Sequence, residues 1–178
     1  GDDVKNQLFN SNNHFIKARD ITYTKAQNGL NKLEFVCKTN DVNVGETING
    51  EYEVKIVTKE TEYGLSSIYA ESILYNLMNK AFIETDPNAF NYTESSFEYA
   101  NIDLQTIVNK LNSLTETIGF RVINRLSYEL TANLSFSEDN CLSALQKIIQ
   151  AYEIEFRFQG NKDSEGYFVI DIFQRAGT

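Results

Sequence analysis

Residues Ser135–Thr178 read SFSEDNCLSALQKIIQAYEIEFRFQGNKDSEGYFVIDIFQRAGT, and the change of period inside this stretch decides the fold. Cys141, Leu142, Leu145, Ile148, Ile149 and Tyr152 recur at helical spacing, while Ser143, Gln146, Lys147 and Gln150 take the opposite face. Ser137 or Asp139 is expected to cap this helix, since a short side-chain oxygen accepts a hydrogen bond from the first free backbone N–H groups. Beyond Tyr152 the period drops to two. Ile154, Phe156 and Phe158 alternate with Glu155, Arg157 and Gln159, and Phe168, Ile170 and Ile172 repeat the alternation past a polar loop at Gly160–Gly166. A helix must bury its apolar stripe and a lone hairpin is marginal, so each needs the other. The spacing therefore predicts a helix over 139–152 packed on a C-terminal hairpin.

Upstream, the chain reads β before it reads α. Gly1–Asn13 is polar and is expected to be a loose lead-in or a frayed edge. His14–Gln27 is strand-like, and Asn28-Gly29 supplies a tight turn into Leu30–Lys38, with Leu33, Phe35 and Cys37 on one face. Val44–Ile48 leads into a second turn at Asn49-Gly50, from which Tyr52, Val54 and Ile56 return in strict alternation. Asn-Gly between alternating apolar residues is the strongest short-range hairpin signal. Glu60–Gly64 is read as another turn and Leu65–Ala70 as a further short strand.

Helical spacing is read from Glu71 onward, with Ala70, Ile73, Leu74, Leu77, Met78 and Phe82 as one stripe closed by Asp86-Pro87. Phe90–Tyr99 is read as an extended connection or short strand. Asn101 or Asp103 is expected to cap a second helix, on which Leu104, Ile107, Val108, Leu111 and Leu114 repeat until Gly119. Phe120–Ile123 and Tyr128–Phe136 are read as strands. Helix followed by strand thus occurs twice, over Leu104–Ile123 and Cys141–Phe158, a pattern compatible with a weak duplication. The expected fold is α+β and β-rich, with two small barrel-like or sandwich subdomains and about three helices inserted between them. In these terms 1–13 is lead-in, 14–70 a β-meander subdomain, 71–119 a helical region and 120–178 a second α+β subdomain.

Composition narrows the function classes. With 42% apolar and 12% aromatic residues among 178, the chain can bury a sizeable core. A net charge of −9 and the lack of any basic run disfavour nonspecific nucleic-acid binding, which needs clustered Lys and Arg, and anionic membrane surfaces as well. No apolar run approaches the roughly 18 residues that span a bilayer. No signal-peptide pattern is seen, and the opening on Gly1 rather than Met is compatible with an upstream leader or domain. Cys37 and Cys141 read as small buried hydrophobes rather than a disulfide.

Catalytic constellations are hard to assemble from these residues. His14 is the single histidine and has no acidic or cysteine partner at motif spacing, so it reads as a surface or strand-edge residue. One His and two Cys do not make a zinc site of the usual kind. The carboxylate pairs Glu60/Glu62 and Glu138/Asp139 fall in polar turns, where solvated charge is the default. The glycines form no phosphate cradle. Asn161-Lys162-Asp163-Ser164-Glu165-Gly166 imitates the first half of an EF-hand loop, but its closing acid would fall on Ile172 inside a strand, so it reads as a polar hairpin tip. Asn91-Tyr92-Thr93 and Asn133-Leu134-Ser135 match the short N-glycosylation pattern. The ten tyrosines and twelve phenylalanines stand mostly at core periods, which favours packing over a sugar platform.

The order of elements resembles the N-terminal hub domain of phage tail proteins, the baseplate-hub or tail-associated family also called prophage endopeptidase tail. The resemblance is carried by Asn28-Gly29-Leu30-Asn31-Lys32-Leu33-Glu34-Phe35, by Asn49-Gly50-Glu51-Tyr52-Glu53-Val54-Lys55-Ile56-Val57, and by the strand entering a helix at Ser67–Leu77. Phe136-Ser137-Glu138-Asp139-Asn140-Cys141-Leu142-Ser143-Ala144-Leu145 and Tyr152-Glu153-Ile154-Glu155-Phe156 complete it, so that it spans Phe15 to Gly177. It implies a homotrimeric hub of two barrel-like subdomains that plugs the distal tail tube in the virion. Its implied partners are the distal tail protein and the tail-tube and tape-measure proteins. Peptidase or lysin activity in that family belongs to other, usually C-terminal, domains. No catalytic, cofactor or metal residue is therefore carried over, and the chain is expected not to be an enzyme. The competing expectation is a monomeric carbohydrate- or ligand-binding β-rich module.

Overall fold

The structure, a computed structural model, describes residues 7–26, 30–60, 63–84, 93 and 95–176. The chain forms two units, Gly1–Tyr75 and Asn76–Thr178.

In the first unit, Asn49 and Gly50 both take left-handed backbone, with φ 55° and 65°, as the two central residues of a tight turn closed by the Glu51 N–H donating to the Ile48 carbonyl at 3.1 Å. The turn joins β5 (Thr47–Ile48) to β6 (Tyr52–Glu60). With β3 (Arg19–Thr24), β4 (Lys32–Lys38) and β7 (Leu65–Ser72) they make an antiparallel sheet in the order β3-β4-β7-β6-β5. The turn expected at Asn28-Gly29 lies outside the described residues. Bulges in β3 between Arg19 and Thr22, and in β6 between Val54 and Ile56, bend the strands, and the sheet curls into a half-barrel. Its inner face is apolar by strict alternation: Leu33, Phe35, Cys37, Val54, Ile68 and Ala70 are all buried.

The lead-in expected at Gly1–Asn13 is corrected for its described part. Leu8–Phe9 forms β1 and pairs with β2 (Phe15–Ile16), and the Leu8 side chain is fully buried in the half-barrel core. The Asn49 side chain fastens this segment. Its Oδ1 accepts the Phe9 N–H at 2.8 Å and its Nδ2 donates to the Gln7 carbonyl at 3.2 Å. The strand expected over His14–Gln27 is accordingly two, β2 and β3.

The helix expected from Glu71 is also corrected. β7 runs on to Ser72, because Lys32 and Glu53 pair with Glu71 from either side, and only Ile73–Asn79 is helical, as a 3₁₀ segment. Leu74 and Leu77 are buried there, but Met78 is 52% exposed and leaves the stripe.

The second unit contains β8 (Ser96–Asp103), α1 (Leu104–Thr115), a short 3₁₀ turn (Glu116–Ile118), β9 (Phe120–Asn124), β10 (Thr131–Ser137), α2 (Cys141–Tyr152), β11 (Ile154–Lys162) and β12 (Phe168–Gln174). β8 pairs antiparallel with β10, while β12 lies between β11, antiparallel, and β9, parallel. α1 buries Leu104, Ile107, Val108 and Leu111, and Gly119 ends the following turn at φ 86°. The helix predicted at 139–152 is α2, but neither Ser137 nor Asp139 caps it. Asn140 is the N-cap: its side chain accepts the Ser143 N–H at 2.8 Å, and the Ser143 hydroxyl accepts the Asn140 N–H at 3.0 Å. Glu138, at φ 50°, turns the chain between strand and helix and leaves Asn140 at the cap. β10 begins at Thr131, so Tyr128 stays in an exposed loop, and β11 continues through Gly160 to Lys162 rather than stopping before the polar loop.

Phe82, Phe97 and Phe136 cluster with centroids 4.7–5.8 Å apart and fix the β8–β10 ribbon to the unit's core. The buried Glu84 beside them accepts the Tyr99 hydroxyl and pairs with Lys110 Nζ at 2.9 Å, which answers the cost of burying a carboxylate. The sequence's α+β, β-rich, barrel-like expectation is what the structure shows.

Candidate interaction surface

Alternation sends every second residue of the five-stranded sheet outward, and register places these residues in rows. Thr22, Glu34, Tyr69 and Ile56 form one row; Arg19, Val36, Ser67 and Thr58 the next; Lys38, Leu65 and Glu60 the last. No described strand or helix of the same unit packs over this face. Ile56 stands 54% exposed, and the half-buried Val36, Leu65 and Tyr69 continue an apolar strip across the sheet.

Two adjoining hollows share Val36. One, of about 430 Å³, is floored by Val36, Ser67 and Tyr69 and edged by Asp20, Glu34 and Ile56. The other, of about 530 Å³, lies where β4 ends and β7 begins, among Lys17, Arg19, Val36, Lys38, Tyr63 and Leu65. The face is therefore polarised. Near the first hollow the Tyr69 hydroxyl donates to Glu71 at 3.0 Å, and burial together with that carboxylate raises the phenol above its ordinary value. Lys55 pairs with Glu53 on the same side. Around the second hollow positive charge dominates. Arg19 touches Asp20 only at 3.7 Å with both side chains largely exposed, an arrangement worth little.

The residues singled out in the sequence lie elsewhere and do not converge. His14 is exposed in the Asn10–His14 turn. Glu60 is exposed at the end of β6, and Glu62 lies outside the described residues. Asp139 is drawn to Lys147 at 2.7 Å and Glu138 points to solvent. In the Asn161–Gly166 tip, Asp163 accepts the N–H groups of Tyr167 and Glu165, while Arg121 bridges Glu116, Asp163 and Glu165 and stacks on Tyr167 at 4.3 Å. Its oxygens thus staple a hairpin to the end of α1. Asn133 is exposed and its side chain accepts the Asn101 N–H, whereas Asn91 and Tyr92 lie outside the described residues. Cys37 and Cys141 are free, and burial, the larger effect, pushes both thiols up to about 11. Among the described residues no group of three or more His, Cys, Asp or Glu is arranged to hold a metal, and no helix is long and apolar enough to cross a membrane.

The polarised face was within reach of the sequence only in part. Alternation over Lys32–Lys38 shows Val36 and Lys38 on the side opposite Leu33, Phe35 and Cys37. That Arg19 joins them follows from the β3–β4 register, which no local pattern announces, and Lys17 comes from the link just before β3.

No protein-family model matches the chain, and no curated protein matches it. Solved structures do. Prophage tail protein gp18 from Listeria monocytogenes EGD-e superposes with a TM-score of 0.58 at 11% identity, covering 93% of this chain and 49% of that one. The tail protein from Neisseria meningitidis MC58 gives 0.58 at 12% identity, covering 92% and 49%. The chain spans about half the length of these structures, and at such identities the likeness is one of fold. It extends over both units.

Proposed function

We propose that this chain is a structural, non-enzymatic domain of a phage or prophage tail. In this reading it is the hub domain at the tail tip, assembling into a homotrimeric ring and joining the tail tube to baseplate and host-contact parts. The observation that carries the reading is the fold shared with two tail proteins from different bacteria over more than nine-tenths of the chain. The expected neighbours are the distal tail protein and the tube and tape-measure proteins, and the expected location is the virion tail. A ring of identical subunits closes through heterologous contacts, in which one patch of each copy meets a different patch of the next. An open sheet face and strand edges provide such patches. A net charge of −9 suits a wall past which nucleic acid slides rather than sticks.

The test combines solution mass with particle location. Light scattering on a concentration series is expected to show a trimer in equilibrium with monomer. Immunogold against the chain is expected to mark one end of tail particles purified from a lysate of its host. Particles that lack the chain by mass spectrometry would overturn the tail reading. A chain present along the whole tube would overturn the hub position.

A further inference from the structure

We infer that the basic hollow on the outer sheet face is a docking site for an extended segment of a partner protein, acidic at two alternate positions and apolar at the next alternate one. This does not rest on the tail reading, since it follows from the face itself.

Charge is the first argument. Lys17 and Arg19 leave the β2–β3 link two residues apart, and Lys38 reaches the same hollow from the end of β4. Among the described residues Lys17 and Lys38 have no carboxylate partner, Arg19 has only its exposed neighbour Asp20, and Asp41 is the one acid lining the hollow. Three cations thus converge on a chain whose net charge is −9. Shape and polarity are the second argument. The hollow, about 530 Å³, is lined by the apolar Val36 and Leu65 of the outer face, and Tyr63 stands beside it 72% exposed. A bare anion would use the cations and leave this apolar lining wet. A nucleic acid would meet too few cations, since backbone recognition draws on many Lys and Arg contacts.

A polypeptide carrying carboxylates and an apolar side chain satisfies both features. Residues i and i+2 of an extended strand lie on one side about 6.6 Å apart, and Lys17 and Arg19, two residues apart in the chain, both line the hollow. Acids at the first and third positions of the incoming segment can face these cations, and an apolar residue at the fifth lies on the same side to meet Val36 and Leu65. Cations on such a rim steer encounter and make binding salt-dependent.

The experiment follows backbone amide resonances of the whole chain by two-dimensional NMR. The probes are a capped synthetic peptide of sequence ESESL, its lysine counterpart KSKSL, and inorganic phosphate. The acidic peptide is expected to shift residues 17–19, 36–38 and 63–65, to bind at least fivefold more weakly in 250 mM than in 25 mM salt (roughly the effect of losing about two screened charge contacts), and to lose at least tenfold in affinity in the double variant Lys17→Glu/Lys38→Glu. Both side chains are exposed, so the variant keeps the native spectrum elsewhere. A Val36→Ala variant that leaves the cations untouched is expected to weaken the acidic peptide and not phosphate. The inference is overturned if the acidic peptide shifts nothing or shifts another surface, if KSKSL shifts the same residues equally, or if phosphate reproduces the full pattern at the same concentration. None of these results bears on whether the chain sits in a tail, which particle labelling decides.

Discussion

Removing the side chain that starts α2 should have a cost that can be read off its geometry. Asn140 Oδ1 accepts the Ser143 N–H at 2.8 Å, and the Ser143 hydroxyl returns a bond to the Asn140 N–H at 3.0 Å. Asn140→Ala deletes the first bond and keeps the second, leaving one N–H of the first turn without its acceptor. Losing an N-cap side chain typically costs about 1 kcal/mol, within about 0.5–2. In a unit of this size that corresponds to about 4–8 °C in Tm. The chain has no tryptophan, so unfolding is best followed by far-UV circular dichroism and tyrosine fluorescence in urea, with a check that both probes give one transition. Amide exchange gives a local readout: a loss of about 1 kcal/mol raises the Ser143 opening equilibrium about fivefold. Asn140→Asp keeps the acceptor and adds a charge favoured at a helix N-terminus, offset by the neighbouring Glu138 and Asp139, and is expected within about 0.5 kcal/mol of the parent. The reasoning is refuted if Asn140→Ala leaves both Tm and Ser143 exchange unchanged, or if Asn140→Asp is as damaging as Asn140→Ala.

Leu8→Ala should destabilise the first unit by about 2–4 kcal/mol, because the side chain is fully buried in the half-barrel core; a urea midpoint equal to the parent's would restore the loose lead-in. Cys37 and Cys141 should react slowly with Ellman's reagent at pH 8 and fast in denaturant, since burial holds both thiols at about 11 and shields them; rapid labelling of the native chain would contradict the packing. For Asp139, burial acts to raise the carboxyl, but the bonds from Lys147, Ser143 and the Ser137 N–H together hold it below its ordinary value. A carboxyl lowered in the folded state contributes stability above the unfolded value, about 3.9, and loses it as pH falls below that. Tm should therefore drop more between pH 5 and pH 3 in the parent than in Asp139→Asn, and parallel curves would deny Asp139 that role.

Local chemistry made some elements legible. Asn49-Gly50, the stripes of α1 and α2, the stop at Gly119 and the alternation of β11 and β12 are all written in neighbouring residues. What stayed hidden depends on distant ones. Leu8–Phe9 is too short to show a period, and it is held as a strand by pairing with Phe15–Ile16 and by the Asn49 side chain, some forty positions on. Ser72 continues β7 because Tyr52 pairs with it across the sheet, although Ile73, Leu74 and Leu77 suit a helix equally well. At the start of α2 three capping residue types, Ser137, Asp139 and Asn140, stand within four positions, and the left-handed Glu138 settles which one caps. The parallel β9–β12 pairing has no local signature at all. Nor has the basic hollow, whose cations come from separate segments brought together by strand register.

The two helix-then-strand segments of the second unit are related more closely than their sequences suggest. The buried Leu104, Ile107, Val108, Leu111 and Thr115 of α1 have buried counterparts on α2 at Cys141, Ala144, Leu145, Ile148 and Tyr152, 37 positions on in every case. The strands that lead into the helices, β8 and β10, pair antiparallel. The strands that leave them, β9 and β11, both flank β12, one parallel and one antiparallel, so they too run opposite to each other. This is the arrangement an internal two-fold relation would produce, with β12 filling the gap on its axis. The helix starts break the symmetry. β8 runs straight into α1 and the N-cap Asp103 makes no side-chain cap bond, whereas α2 follows a three-residue turn and has the Asn140–Ser143 box. α1 is therefore held by packing and by the Asn112 side chain, which accepts the Val122 N–H at 2.8 Å. Asp103→Ala, losing only its charge at the helix N-terminus, is expected to cost less than about 0.5 kcal/mol, well below Asn140→Ala in the same urea titration. Equal losses would mean that both helices start the same way and that the difference between the two halves does not affect stability.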